Sequence, residues 1–137
     1  MANSIAGFRE IEHTADWELA VWAPDIAGLL EQAAYGMYSL SETRLEPGHR
    51  QVYEIILPAS ELETLLVSFL SELLWIGEQE SWGFDSFVIS FRDGEMHARL
   101  EGAAIASQTK VIKAVTYHNL NIQRTKRGLE ASVVFDV

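Results

Sequence analysis

One stretch of the chain constrains the fold more than any other: residues 60 to about 76 form the pattern of a long amphipathic helix. Ser60 and Glu63 match a capping box, in which each side chain bonds a free amide of the first turn. The apolar residues that recur at helical spacing are Leu62, Leu65, Leu66, Phe69, Leu70, Leu73 and Leu74. Gly77 is predicted to end the helix. Because this apolar band is wider than one sheet face requires, we expect the helix to be central or partly covered by a neighbour.

A second helix is predicted after Pro24, because Asp25 can accept hydrogen bonds from the free amides at a helix start. Asp93-Gly94 is a favoured two-residue hairpin turn, and the small residues of 102–107 indicate a loop or bulge. The predicted strands cover about residues 8–11, 17–22, 51–57, 84–91, 95–101, 111–124 and 130–137. This order predicts an α+β fold, a two-layer sandwich of a mixed, largely antiparallel sheet with two main helices. Residues 1–137 are expected to form a single domain.

Composition excludes several classes of function. The chain has no cysteine, which removes disulfides, thiolate chemistry and cysteine-type zinc sites. No apolar stretch is long enough to span a membrane, and the N-terminus lacks the pattern of a signal peptide, so a cytoplasmic protein is expected. The net charge of -10 opposes attraction to phosphate backbones. Residues 110–137 are the exception: the five bases there, Lys110, Lys113, Arg124, Lys126 and Arg127, outnumber two acids.

Oxygen donors gather near the last predicted strand. The side chain of Asp136 and the α-carboxylate of Val137 lie one residue apart, and Asp16 lies in the turn before an early strand. If the first and last long strands are neighbours, these three groups converge at one sheet edge, where they suit a hard cation such as Ca²⁺, Mg²⁺ or Mn²⁺. The alternatives are a solvated, frayed terminus and an Asp16 that caps turn amides.

Two other residues could take part in chemistry. His13 could ligate a metal or transfer a proton, and Lys113 could reach a carboxylate, a phosphate or a partner protein. The alternative for His13 is a structural role in which the histidine is hydrogen-bonded within its turn. The alternative for Lys113 is an ordinary salt bridge. The chain has neither a G-x-S-x-G elbow nor a phosphate-binding P-loop, so catalysis by this chain alone has little support.

Four segments together resemble the archease family. They are His13-Thr14-Ala15-Asp16, the leucine-rich helix from Glu61 to Trp75, Lys113-Ala114-Val115-Thr116-Tyr117-His118, and Val133-Val134-Phe135-Asp136-Val137. Each motif is modest by itself, but four in the same order are specific, and the resemblance covers essentially residues 7–137. One departure is Trp17-Glu18, where many relatives have a small or aliphatic residue followed by glycine.

The resemblance implies a metal-binding protein cofactor rather than an enzyme. Archeases activate the GTP- and Mn²⁺-dependent ligase of tRNA splicing: they promote guanylylation of its active-site histidine and multiple turnover, and the ligase alone handles the RNA. By this resemblance the metal ligands map onto Asp16, Asp136 and Val137, the functionally required lysine onto Lys113, and a second-tier role onto His13. Calcium is the ion expected in a structure, and manganese or magnesium the ion expected in function.

Two other classes of function are compatible with the residues. One is an autonomous metal-dependent enzyme acting on small phosphorylated substrates, and the other is a chaperone-like binding module. If Val137 is a ligand, a short C-terminal extension is expected to impair ligase activation more than folding.

Overall fold

The computed structural model describes residues 5–11 and 16–137. Its elements, in chain order, are β1 (Gly7–Ile11), β2 (Trp17–Ala23), α1 (Ile26–Leu40), β3 (Arg44–Pro58), α2 (Leu62–Glu80), β4 (Trp82–Arg92), β5 (Glu95–Ser107), β6 (Ala114–Thr116), β7 (Gln123–Thr125) and β8 (Gly128–Asp136). No helix in the described part of the chain is both long and apolar enough to cross a membrane.

The strands divide between two sheets, and every described pairing in them is antiparallel. One sheet has the order β1-β2-β8-β6, with β7 also pairing with β8, and the other has the order β3-β5-β4. Strand β8 therefore has β2 on one edge and both β6 and β7 on the other. These sheets and the two long helices confirm the predicted α+β sandwich.

Helix α1 begins where the sequence predicts. The carboxylate of Asp25 accepts a hydrogen bond from the amide of Gly28 at 2.8 Å, which satisfies one free donor of the first turn. The buried face of this helix packs on β2, and the absence of a side chain at Gly36 lets Leu19 lie directly against the helix. This close approach helps to join α1 to the first sheet.

Helix α2 differs from its prediction at both ends. Glu61 occupies the position before the first helical residue without a side-chain cap, and the Glu63 carboxylate instead accepts a hydrogen bond from the amide of Ile122 at 3.0 Å. The capping-box prediction was therefore wrong, because a tertiary contact takes the Glu63 side chain. At the other end the helix passes Gly77 and stops before Ser81, which adopts a left-handed conformation with φ of 54°. The wide apolar band is buried as expected.

The β4–β5 hairpin turns at Asp93 and Gly94, as predicted. Both residues have positive φ, 52° and 75°, which is the requirement of the favoured two-residue turn. The small residues of 102–107 continue β5 rather than forming a loop, and β4 carries an irregularity opposite Gly102. A Cβ at Gly102 would overlap the carbonyl oxygen of Gly83, so the close approach of the two strands requires glycine there.

The predicted strand over residues 111–124 is interrupted. Within this segment, only β6 and β7 pair with β8. Between them the chain turns through a hydrogen bond from the amide of Leu120 to the carbonyl of Tyr117, at 3.0 Å, with Asn119 at a φ of 53°. Asn119 is one of the residue types that tolerate this conformation. The interruption places β6 and β7 at opposite ends of β8.

Candidate functional site

The C-terminal end of β8 brings together residues from three parts of the chain. On one edge the last described pair with β2 is Trp17 with Phe135, so Asp16 and Asp136 each lie one residue beyond it. On the other edge Ala114 pairs with Asp136, so Lys113 enters β6 beside the same strand end. Three of the residues expected to act together are thus placed at one end of one sheet.

The backbone fixes Lys113 against this strand end. Its amide donates a hydrogen bond to the carbonyl oxygen of Asp136 at 2.8 Å. The hydrogen bond leaves both side chains available, because it uses only main-chain groups. A cationic and an anionic side chain are therefore held on adjacent strands, close to the point where the ladder ends.

Exposure changes sharply at the end of β8. Phe135 is fully buried in the core, Asp136 is exposed, and Val137 is partly buried against the core. Phe135 and Asp136 lie on opposite faces of the sheet, because side chains alternate along a strand. Asp16 is also exposed. The two aspartate carboxylates are accessible to solvent and to a partner, while the packing of Val137 keeps the strand end in place.

A second lysine lies near this end of the sheet. The Nζ atom of Lys110 lies 4.3 Å from the centroid of the Trp17 ring, the residue that follows Asp16. Such a contact is favourable because the ring face carries negative charge. The sequence placed Lys110 only in a general basic patch, because its contact with Trp17 joins distant parts of the chain. Trp17, which stands where many relatives have a small or aliphatic residue, thus contacts Lys110 in this chain.

The donor chemistry fits a hard divalent cation. Among the described residues, no three Asp, Glu or His side chains are grouped so that they could hold a metal ion. The predicted ligands include two carboxylate side chains, those of Asp16 and Asp136, and Val137 is the third predicted ligand. Anionic oxygens are the donors that Ca²⁺, Mg²⁺ and Mn²⁺ prefer, and these ions can complete their shell with water.

The histidines do not assemble into a site within the described residues. His13 lies outside them. The amide of His118 is bonded to the Thr116 hydroxyl at 3.2 Å, in the turn after β6, and His97 lies on β5 near Glu95 at 3.5 Å. His49 lies on β3, in the other sheet.

The other three basic residues of the segment 110–137 lie at the opposite end of β8, around its hairpin with β7. They are Arg124, Lys126 and Arg127. The guanidinium of Arg127 pairs with Glu130 at 3.2 Å and lies 4.4 Å from the centroid of the Trp22 ring. A hydrogen bond from the Thr125 hydroxyl at 2.5 Å, together with Arg127, holds the pKa of Glu130 below its ordinary value. These contacts give this part of the basic patch a local structural role away from the aspartates.

Comparisons with known proteins identify the family and the fold. The model of the archease protein family matches residues 8–137. A protein archease from Methanosarcina mazei is 32% identical over 144 residues, which cover 95% of each chain. The crystal structure of an archease from Thermotoga maritima, described as a possible chaperone, superposes with a TM-score of 0.71 at 25% identity and covers 94% of this chain and 96% of that one.

A second solved structure supports the fold. The solution structure of protein 1598 from Methanobacterium thermoautotrophicum superposes with a TM-score of 0.72 at 24% identity, covering 96% of this chain and 99% of the other. With the family match extending over β1 to the end of β8, the chain belongs to the archease family.

Proposed function

We propose that this protein is a metal-binding activator of a GTP- and Mn²⁺-dependent RNA-splicing ligase, and that it promotes guanylylation of the ligase's active-site histidine and multiple turnover. The observation that carries the proposal is the convergence of Asp16, Asp136 and Lys113 at the end of β8 in a member of the archease family. RNA is contacted only through the ligase. The acidic net charge supports this division of labour, because it opposes independent binding to phosphate backbones.

The proposed metal ligands are Asp16, Asp136 and the carboxylate of Val137. A cation held there would supply positive charge for orienting nucleotide phosphates. Both aspartates are exposed, so they can enter a partner's active site without unfolding of the sheet. Lys113 provides a second positive charge on the neighbouring strand and can meet an anionic group of the ligase or nucleotide. Strand pairing determines where this lysine enters the site.

A guanylylation assay of the cognate ligase tests the proposal. Purified ligase is incubated with Mn²⁺ and radiolabelled GTP, with and without this protein, and the label covalently attached to the ligase is followed over time. We expect the wild-type protein to accelerate labelling. We expect Asp16→Asn and Asp136→Asn to reduce that acceleration by at least about tenfold, because each removes one anionic oxygen ligand.

The matched control is Asp93→Asn. Asp93 is also an exposed aspartate, but it lies in the β4–β5 turn, where its φ of 52° is tolerated by asparagine. This variant should activate as well as the wild type. Folded Asp16 and Asp136 variants with full activation would refute the metal role, and a wild-type protein without effect on the ligase would refute the activator role.

A chaperone-like module is the second candidate, and one observation favours it: the archease of Thermotoga maritima is described as a possible chaperone. This function predicts suppression of aggregation for several unrelated clients. It also predicts that suppression survives Asp16→Asn and Asp136→Asn. Light scattering of heated client proteins, with the same three variants, separates it from ligase activation.

A further inference from the structure

A largely apolar cleft has Lys113 on its lining. It has a volume of about 460 Å³ and lies between the C-terminal half of α2 and the segment of residues 108–113. Its apolar lining residues include Leu74, Trp75, Ile105, Val111 and Ile112. A cleft of this size accommodates one or two side chains of another protein.

Two large apolar residues on its lining remain exposed. Trp75 is 54% exposed and Val111 is 70% exposed. They come from distant parts of the sequence and both line the cleft. Trp75 lies on α2, and Val111 lies in the segment of residues 108–113. Such a concentration of exposed apolar surface around a concavity is typical of a contact site for another molecule.

Hydrogen bonds hold one wall of the cleft in place. At its start, the amide of Thr109 donates to the carbonyl of Ser41 at 3.0 Å, and Gln108 donates through Nε2 to the Thr43 hydroxyl at 2.8 Å. At its end, the amide of Lys113 donates to the carbonyl of Asp136. The other wall is helix α2, which is anchored by its buried face. A preformed cleft binds with a smaller loss of conformational entropy than one that must be ordered on binding.

The charged residues at the cleft indicate which charges its ligand carries. Lys113 and Glu78 both line it and are both exposed. Within residues 5–11 and 16–137, the Lys113 amine forms no ion pair. The complementary ligand is a protein segment with an apolar side chain, an acidic residue next to Lys113 and a basic residue next to Glu78.

We infer that this cleft docks a surface segment of the partner ligase, with an apolar anchor between Trp75 and Val111 and an acidic group at Lys113. The inference rests on the proposed function and adds the surface through which the partner is held. Lys113 borders both the cleft and the aspartates, so a ligase whose active site receives Asp136 has its adjacent surface against the cleft. The cleft contributes affinity, and the end of β8 contributes activation.

The dependence of guanylylation rate on the concentration of this protein tests the inference. We expect Trp75→Ala and Val111→Asp to raise the concentration needed for half-maximal activation by at least about tenfold, as truncation of a central interface residue does. At saturation their maximal rate should equal that of the wild type. Asp136→Asn should show the opposite pattern, a reduced maximal rate at a nearly unchanged half-maximal concentration.

Val88→Asp is the matched control, because Val88 is 64% exposed on β4 in the other sheet. It introduces the same charge at similar exposure and should leave activation unchanged. Circular dichroism and thermal melts establish that each variant is folded. If wild-type protein activates and Val111→Asp and Trp75→Ala behave like Val88→Asp, the docking inference is wrong while the proposed function stands. Wild-type protein without effect overturns the function itself.

A second copy of this chain is the other occupant that the same variants test. Sedimentation of the isolated protein shows whether it forms a homodimer that Val111→Asp dissociates, and the guanylylation assay shows whether the same variant leaves ligase activation unchanged. That result would assign the cleft to a second copy of this chain and overturn the inference. Direct titration of ligase with wild type and Val111→Asp should show weaker binding for the variant, and equal binding contradicts docking at the cleft.

Discussion

The amide of Lys113 and the carbonyl oxygen of Asp136 are 2.8 Å apart, so a lysine and an aspartate expected to act together are joined through their main chains. This hydrogen bond sets the positions of their Cα atoms independently of either side chain. Substitution of the lysine amine or the aspartate carboxylate can therefore remove a charge while preserving the strand contact. The site is unusually suited to mutational dissection for this reason.

The first prediction concerns metal affinity. Asp16→Asn and Asp136→Asn should each weaken binding of Mn²⁺ or Ca²⁺ by at least about tenfold, since an amide oxygen replaces an anionic ligand. Isothermal titration calorimetry measures the change, with Asp93→Asn as the variant that keeps wild-type affinity. Equal affinities for all four proteins would exclude these aspartates as ligands.

The second prediction separates Lys113 from the metal. Lys113→Met keeps the length and apolar stem of the side chain but removes its charge, so metal affinity should persist while maximal guanylylation falls by at least about tenfold. Lys126→Met, in the β7–β8 turn, is the control for loss of an exposed lysine charge. Undiminished activation by folded Lys113→Met would contradict a role for the amine.

The third prediction compares two glycines. Gly102→Ala should lower the free energy of unfolding by about 1–3 kcal/mol, because its Cβ would overlap the carbonyl of Gly83 and force the strands apart. Gly77→Ala lies inside α2, where the nearest neighbours of a Cβ are 3.7 Å away, and should raise that free energy by about 0.5–1 kcal/mol. Urea unfolding measures both, and a stabilised Gly102→Ala would show that the strands can separate freely.

The fourth prediction concerns pH. Because Thr125 and Arg127 lower the pKa of Glu130 in the folded state, the carboxylate stabilises the protein above the ordinary pKa of about 4.5. This stabilisation is lost as the pH falls through the lower folded-state pKa. The difference in unfolding free energy between wild type and Glu130→Gln should therefore be largest near neutral pH and shrink in acid. Urea unfolding over a pH series tests this, and a difference independent of pH would be inconsistent with it.

Local signals in the sequence predicted local structure well. Asp25 caps α1 and Asp93-Gly94 turns the β4–β5 hairpin because both depend on backbone conformation within a few residues. Glu63 shows where such signals fail. Its carboxylate does not cap the helix and instead accepts a hydrogen bond from the amide of Ile122, a residue far along the chain. Likewise, strand propensity over residues 111–124 could not reveal that a turn separates β6 from β7.

The candidate site depended on a pairing that spacing cannot supply. Asp16 and Asp136 lie at the same end of the sheet only because β2 is the neighbour of β8, and resemblance to a family, rather than periodicity, indicated that they act together. The cleft was not anticipated. Trp75 and Val111 read as ordinary helix and strand residues, and only the packing of α2 against the segment of residues 108–113 leaves a space between them.

The pairing of β2 with β8 also has a consequence for the order of folding. Trp17 and Phe135 enclose nearly the whole described chain, so their ladder is a contact of very high sequence separation. Such contacts form after the hairpins and helices within the enclosed chain have shortened the loop. We therefore expect the two aspartates to be among the last residues brought to one end of the sheet, and a cation that needs both would discriminate the fully folded protein from a partly folded one.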